Sequence, residues 1–451
     1  MVNLNSFKAY DIRGRIPDEI NESLAYDVGR AYAAFVKPKR VAVGYDIRLS
    51  SLELARALKR GLTDCGVDVL DIGLWGTEGS YFATFAEKLN GGIMVTASHN
   101  PPDYNGMKFV REGARPISAD TGLMEMRALI ESGRLPGKAA QPGTERTLDI
   151  RAGYLDHLMS YVDRGKLGKL KVVVNAGNGG AGLIVDQLEP RLPFEFVKLN
   201  NNPDGTFPNG VPNPMLEENR APTAELVRRS RADVGIAWDG DYDRCFFFDE
   251  TGQFIEGYYL VGLLAEVFLR KEPGARIVHD PRLTWNTLDI VSKYGGTPVL
   301  CKSGHAFIKA KMREVDAAYG GEMSAHHYFR QFAYCDSGMI PWLLVLAVMS
   351  ERGQPLSALV GERMRLFPAS GEINRRLATD AASILKRVRA RYESEASAID
   401  LTDGLSMEFA DWRFNLRGSN TEPLVRLNVE TRADEPLMRA KTAEVLALVD
   451  G

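Results

Sequence analysis

A threefold repeat is the feature that most constrains the fold. "RVAVGYDIR" (40–48) reads as a strand ending in a polar turn; a helix-like stretch follows, then the strand "VDVLDIG", another helix and a third strand, "GGIMVTASHN". The same strand–helix–strand–helix–strand order returns from "KVVVNAGNGGAG" (171–182) through "FEFVKLN" to "ADVGIAWDGDYDR". It returns again from "RIVHDPR" (276–282) through "GTPVLCKSGH" to "AAYGGEMSAHH". The strands are near-continuous apolar runs, as expected of sheets covered on both faces. The expected fold class is therefore α/β, built of three related units with helices layered on sheets. The tail differs. "LSMEFADWRFNLRGSNTEPLVRLNVETR" has strand character on both sides of a polar turn, and "EPLMRAKTAEVLALV" reads as a closing helix, giving a smaller C-terminal α+β domain. The Pro/Gly-rich stretch 135–146, the turn near Glu250–Gly252 and "FPASGE" (367–372) place domains at 1–146, 147–251, 252–368 and 369–451.

Each repeat carries an unusual loop after its third strand, around Ser98, Asp239 and Glu322. Ligands of open α/β sheets bind outside the carboxyl ends of strands. The repeat thus predicts three loops facing one central cleft. Composition narrows the function classes. A net charge of −3 on 451 residues gives no basic field of the kind a nucleic-acid protein shows. Cys65, Cys245, Cys301 and Cys335 are far apart, form no CxxC pair and read as reduced thiols. The opening MVNLNSFKAYDIRGR lacks the apolar core of a signal peptide, and the run Met339–Met349, broken by Pro341, is too short to cross a bilayer. The expectation is a cytoplasmic, soluble monomer with neither nucleic-acid nor membrane partners.

In "DGDYDR", Asp239, Asp241 and Asp243 alternate, so an extended loop would turn all three carboxylates to one side. Such a trio repels itself unless a cation joins it, and hard oxygen ligands suit Mg²⁺. An EF-hand is excluded because Arg244 replaces the required glycine and Cys245–Phe248 is an apolar strand; a plain solvated turn is the remaining alternative. Arg244 would suit a phosphate oxygen. Ser98 is a candidate nucleophile or an ordinary turn serine, and its neighbour His99 should point the opposite way on a strand. No GxSxG elbow or obvious Ser-His-Asp order is present. Glu322 and Ser324 in "GEMSAHH" suit sugar hydroxyls, or else mark a capped helix start with a buried histidine. "RGSNTEP" offers Arg417, Ser419, Asn420 and Thr421 as a phosphate cradle, or a plain hairpin turn. Gly177, Gly179 and Gly182 match a dinucleotide fingerprint, but the acid at the ribose spacing, Asp204, sits in the turn-rich "NNNPDGTFPNG".

TASHNP, DGDYDR, GEMSAH and RGSNTEP, in that order across the whole chain, together with FKAYDIRG, resemble the α-D-phosphohexomutases, most nearly the bacterial phosphomannomutases. The resemblance implies three related α/β/α domains with mixed sheets and a smaller C-terminal α+β domain around a central cleft: phosphoserine-bearing, metal-binding, sugar-recognition and phosphate-binding, in that order. It implies a phosphoserine at Ser98, which with Asp239, Asp241 and Asp243 would hold Mg²⁺. Glu322 and Ser324 would read sugar hydroxyls. Arg417, Ser419, Asn420 and Thr421 would hold the phosphate that is not reacting. Arg13, Lys108, Arg244 and His326 take catalytic places, with Lys108 or His326 as general base; Tyr10, Arg282, Gly304, His305 and Arg426 complete the substrate contacts. Arg282 stands where some relatives have lysine, and Ala325 where glycine is frequent. The implied reaction interconverts mannose 6-phosphate and mannose 1-phosphate through a hexose 1,6-bisphosphate, which also serves as activator, and feeds GDP-mannose and surface polysaccharide synthesis. Glucose phosphates are the alternative substrates. A phosphatase, a dinucleotide-dependent dehydrogenase and a non-catalytic sugar-phosphate sensor are the rival readings.

Overall fold

A computed structural model describes residues 4–377, 380–418 and 424–451. The chain forms two compact units, Met1–Phe254 with Gln331–Gly353, and Ile255–Arg330 with Gln354–Gly451.

The first unit holds two sheets of one design. In the first, Arg40–Tyr45 lies parallel to both Asp68–Leu74 and Gly91–Val95, and Tyr104–Arg111 pairs antiparallel to Gly91–Val95. In the second, Lys171–Asn175 lies parallel to Glu195–Leu199 and Val234–Trp238, and Cys245–Phe248 closes antiparallel on Val234–Trp238. The second unit repeats the order: Arg276–His279 lies between Thr297–Leu300 and Tyr319–Gly321, and His327–Phe329 pairs antiparallel to Tyr319–Gly321. Each third strand therefore leads into a hairpin return, and each unusual loop is that hairpin's connection. The central strands are apolar throughout because helices cover both faces, and Val41, Val43, Val172, Val174, Ile277 and Val278 are fully buried.

The tail is an antiparallel sheet in the order Ile373–Arg376, Leu424–Thr431, Trp412–Gly418, Leu405–Glu408, Ala398–Asp400. The helices Ala381–Tyr392 and Glu435–Asp450 supply Ile384, Val388, Met438 and Val445 to its core, and Phe409 stacks on Trp412 at 4.3 Å. Glu430, fully buried on this sheet, accepts hydrogen bonds from Thr284 N (2.7 Å) and Arg413 (2.7 Å). Arg413 in turn donates to the carbonyls of Pro281 and Arg282, which fixes the loop carrying Arg282.

The helix Met339–Arg352 belongs to the first unit although the chain reaches it from the second. Its apolarity is that of a core helix, with Trp342 set edge-on to Trp238 at 6.2 Å. Among the described residues no single helix is long and apolar enough to cross a membrane. What docks this helix is a buried carboxyl. Glu78 Oε1 accepts from the amides of Gly338 (2.7 Å) and Met339 (3.1 Å), and Oε2 meets the hydroxyls of Tyr154 (2.6 Å) and Ser337 (2.8 Å). Burial pushes this carboxyl up from 4.5 to about 8, against those four partners. A neutral acid satisfies the same pattern, since Oε1 accepts from two fixed amides and Oε2–H donates to a hydroxyl that can rotate.

The sign of the pH dependence follows. Between 4.5 and about 8 the folded chain holds a proton that the unfolded chain has released, so stability falls as pH rises through that window. Glu78→Gln reproduces the neutral pattern. It should unfold within about 1 kcal/mol of the wild type near pH 6 and lack the loss toward pH 8. Glu78→Ala takes the carboxyl from the Gly338 amide and the buried Tyr154 hydroxyl and opens a cavity, and should cost about 3–5 kcal/mol at pH 6. Denaturant unfolding across pH checks both.

Candidate active site

In the first unit the strand Gly91–Val95 delivers Ser98 to a loop in which that residue takes a left-handed conformation (φ 48°), uncommon for any residue but glycine. The surroundings hold it there. Thr96 Oγ1 accepts from the Ser98 amide at 3.0 Å, and Arg48 donates to the carbonyls of Ser98 (2.8 Å), Asn100 (2.6 Å), Pro101 (2.7 Å) and Tyr104 (2.9 Å). Arg13, on the strand Ile12–Arg15, donates to Asn100 Oδ1 (2.7 Å) and pairs with Asp11 (2.5 Å). Tyr10, half-buried, precedes that strand.

The acidic loop closes on this one. A Cβ on Gly240 would stand 2.5 Å from the Ser98 carbonyl, so only glycine lets the two backbones meet. Thr77 N donates to the Asp241 carbonyl at the start of the helix Thr77–Ala86, locking the loop from the other side. Asp239, Asp241 and Asp243 are all buried, and one oxygen from each lies within 4.8 Å of the others. Ser98 Oγ donates to Asp239 Oδ2 at 2.9 Å. Lys108 returns on the antiparallel strand opposite Met94 and donates to Asp241 (2.7 Å) and Asp243 (2.6 Å), while Arg244 Nε donates to Asp239 (2.9 Å).

Burial pushes Asp239 up to about 6, with Asp243 and Asp241 adding to it and Arg244 opposing. Burial and Asp243 also act upward on Asp241, but the Lys108 ammonium and the Thr77 hydroxyl hold it below the ordinary carboxylate range. Burial works against the charge on Lys108, yet the same two carboxylates keep it protonated well beyond its usual range. Asp241 Oδ1 is sealed from solvent and has no hydrogen-bond partner among the described residues. A hard-oxygen trio with an orphaned carboxylate oxygen fits a divalent cation such as Mg²⁺.

His99 departs from the sequence expectation. The left-handed turn at Ser98 brings its ring to the same side, with Nδ1 3.1 Å from Ser98 Oγ. An Arg244 guanidinium N–H also points at Nδ1. A guanidinium only donates, so Nδ1 is an acceptor and the ring proton sits on Nε2. Partial burial, Arg244 and Arg13 depress this imidazole well below its usual range, leaving it neutral beside the serine. Alternation along a strand misses the contact because it assumes extended backbone at Ser98.

The second unit carries another constellation. Glu322 accepts from Gly304 N (2.8 Å) and the Tyr328 hydroxyl (2.5 Å). Arg282 chelates Asp280 (3.0 and 2.8 Å) and reaches Ser324 Oγ (3.2 Å) and Glu322 (3.4 Å). Gly304 (φ 124°) precedes the helix His305–Val315, and His305 Nδ1 lies 3.5 Å from Lys309. The His326 carbonyl accepts from Glu322 N, and its ring lies over Tyr328. Arg417 and Arg426 face each other on paired strands, and both reach the buried Glu372, at 3.2 and 3.0 Å. Ser419, Asn420 and Thr421 lie outside the described residues.

Sequence reasoning considered His99 and turned it away from Ser98, and it did not single out Arg48, Thr77, Asp280 or Glu372. Arg48 and Asp280 each follow a first strand of the repeat, which is the one signal that pointed to them. The glycine fingerprint has a packing explanation. Cβ atoms on Gly177, Gly179 and Gly182 would strike Pro212 (2.2 Å), the Gly240 carbonyl (2.8 Å) and the Asn201 carbonyl (1.9 Å), so protein fills the space a pyrophosphate would need.

Known proteins match the chain along its whole length. The sequence matches the phosphoglucomutase/phosphomannomutase family as alpha/beta/alpha domain I over residues 4–134, domain II over 152–252, domain III over 256–367 and the C-terminal domain over 372–447. It is 61% identical to a phosphomannomutase of Salmonella montevideo, with 100% of each chain covered. It is 59% identical to a protein of Xanthomonas campestris named phosphohexose mutases, again over 100% of each chain. A crystal structure of a phosphoglucomutase/phosphomannomutase family protein from Burkholderia thailandensis superposes with a TM-score of 0.89 at 32% identity, covering 100% of this chain and 98% of that one. Four domain matches in register and full-length relatives at this identity place the chain in the phosphoglucomutase/phosphomannomutase family of phosphohexomutases.

Proposed function

We propose that this chain is a phosphomannomutase, an isomerase that interconverts mannose 6-phosphate and mannose 1-phosphate by intramolecular phosphoryl transfer. The observation that carries the chemistry is the Ser98 hydroxyl held 2.9 Å from Asp239 within the buried acid trio. In this reading Ser98 is stored as a phosphoserine. The free hydroxyl of the sugar attacks the phosphorus and the P–O bond to Ser98 breaks, giving a hexose 1,6-bisphosphate. That intermediate turns round, and Ser98 takes back the phosphoryl group from the other end. An Mg²⁺ ion held by Asp239, Asp241 and Asp243 would supply charge neutralisation for the transferring group. Arg244 lies against Asp239 and would steady an equatorial phosphoryl oxygen. His326 is the candidate base for the attacking hydroxyl, and Lys108 the other only once it has left its carboxylate partners and lost its proton. In its resting pair with Asp241 and Asp243, Lys108 is protonated and supplies charge. Neutral His99 keeps an acceptor beside Ser98 Oγ without adding a second cation.

Glu322 and Ser324, ordered by Arg282, Gly304 and Tyr328, would read sugar hydroxyls, with His305 and Tyr10 as further contacts. Arg417 and Arg426, with Ser419, Asn420 and Thr421, would hold the phosphate that is not reacting. The product would feed GDP-mannose for surface polysaccharide, and a hexose 1,6-bisphosphate would prime any unphosphorylated chain. The four functional domains 1–146, 147–251, 252–368 and 369–451 belong to the same proposal, as do a monomeric state and a cytoplasmic location. The test is turnover of mannose 1-phosphate and glucose 1-phosphate, each primed with glucose 1,6-bisphosphate and Mg²⁺. Conversion of mannose 1-phosphate to the 6-phosphate at least as fast as the glucose reaction is expected. Inorganic phosphate released at the rate of sugar turnover would instead make the chain a phosphatase.

A further inference from the structure

Glu372 is the group that the proposed chemistry leaves unexplained. Its side chain is 7% exposed, and three guanidinium groups reach it: Arg426 at 3.0 Å, Arg417 at 3.2 Å and Arg282 at 3.4 Å. Burial acts to raise this carboxyl, but Arg282, Arg426 and Arg417 hold it below its ordinary range, so it is an anion. Three converging guanidinium groups are the usual recognition pattern for a phosphate. Here they already close on an anion belonging to the chain. Further acids compete for the same cations, with Asp280 chelating Arg282 and Asp403 3.9 Å from Arg417. An arriving phosphate therefore meets cations whose charge is largely spent. Among the described residues, the buried Arg417 Nε–H has no partner, one donor not committed to Glu372.

We propose that the Glu372 carboxylate stands, in the ligand-free chain, where a ligand phosphate binds among Arg417, Arg426 and Arg282, and sets phosphate affinity by competing with it. This rests on the reading of Arg417 and Arg426 as phosphate ligands. Competition of this kind weakens binding and speeds release. A mutase whose bisphosphate intermediate must let go of its anchor and rebind by the other end benefits from both. A carboxylate that merely orders the arginines would act the other way, because removing it would scatter them and weaken phosphate binding.

The two roles separate in Glu372→Gln, which keeps the shape and one hydrogen-bond acceptor and removes the charge. Calorimetric titration of the full chain with inorganic phosphate should give affinity at least tenfold tighter than wild type. KM for mannose 1-phosphate should fall by a similar factor while kcat does not rise. Arg417→Ala should erase the gain, which locates it at this cradle rather than at Ser98. Glu372→Asp, still anionic, should stay within threefold of wild type. If Glu372→Gln loses its thermal transition, Glu372→Ser takes its place with the same expected direction. Phosphate affinity equal to or weaker than wild type in a folded charge-removed variant overturns the proposal. A wild-type chain that fails to bind mannose 1-phosphate overturns the activity reading instead.

Discussion

Ser98→Ala should lower mutase turnover by at least about 10⁴-fold, the scale on which loss of a nucleophile usually acts. It should leave no phosphate on the peptide that contains residue 98, and the fold should survive. The backbone around residue 98 is fixed through its carbonyl by Arg48 and through its amide by Thr96, and neither contact uses the hydroxyl. Only the hydrogen bond to Asp239 and the contact with His99 are lost, so stability should move by about 1 kcal/mol or less. The result is therefore a folded chain that binds sugar phosphate and does not turn it over. Mass spectrometry of the purified wild type and variant, with coupled rates over a bisphosphate series, tests each part. Turnover above a hundredth of wild type would mean that phosphate is carried elsewhere. Glu322 and Ser324 are untouched by the change, so substrate affinity should persist and separate loss of chemistry from loss of binding.

The repeat made the layers legible because burial on both faces leaves a strand no polar positions, and that signal survives in one sequence. It also led directly to the loops, since the end of each third strand is where the apolar run stops. The spacing of Asp239, Asp241 and Asp243 likewise foretold that the three carboxylates gather, although a turn with Tyr242 at positive φ, not extended backbone, brings them together. What escaped depends on backbone that is neither helix nor strand. His99 reaches the Ser98 hydroxyl only because Ser98 has positive φ, a state that serine does not advertise. Glu372 lies in a Pro/Gly-rich stretch that reads as a linker, and its meaning comes from Arg282 ninety positions earlier and Arg426 fifty-four later. Arg48 looked like a turn residue, yet it gathers four carbonyls of the Ser98 loop. Pairings at that separation leave no periodicity to find. The glycines at 177, 179 and 182 show the converse, because close backbone packing and cofactor binding ask for the same residue.

Asp241→Asn should cut turnover by about 10²–10³-fold and raise the Mg²⁺ needed for half activity by a comparable factor. The reason lies in how its two oxygens are used. Oδ2 accepts from Lys108 at 2.7 Å and from the Thr77 hydroxyl at 2.5 Å, whereas Oδ1 is buried with no donor among the described residues. An asparagine can serve one side only. With its oxygen toward Lys108, the amide N–H₂ faces the place of the cation and repels it. With the oxygen toward the cation, N–H₂ meets the Lys108 ammonium, and two donors confront each other in a buried space. A readout independent of activity follows. At Mg²⁺ a hundredfold above its dissociation constant, the wild type should gain about 2.7 kcal/mol of stability, and the variant close to none at the same concentration. Melting curves with and without Mg²⁺ measure this directly. Equal Mg²⁺ stabilisation in both chains would remove Asp241 from the metal site. A variant that lost activity but kept that stabilisation would place the cation on other oxygens and leave Asp241 the lesser task of holding Lys108.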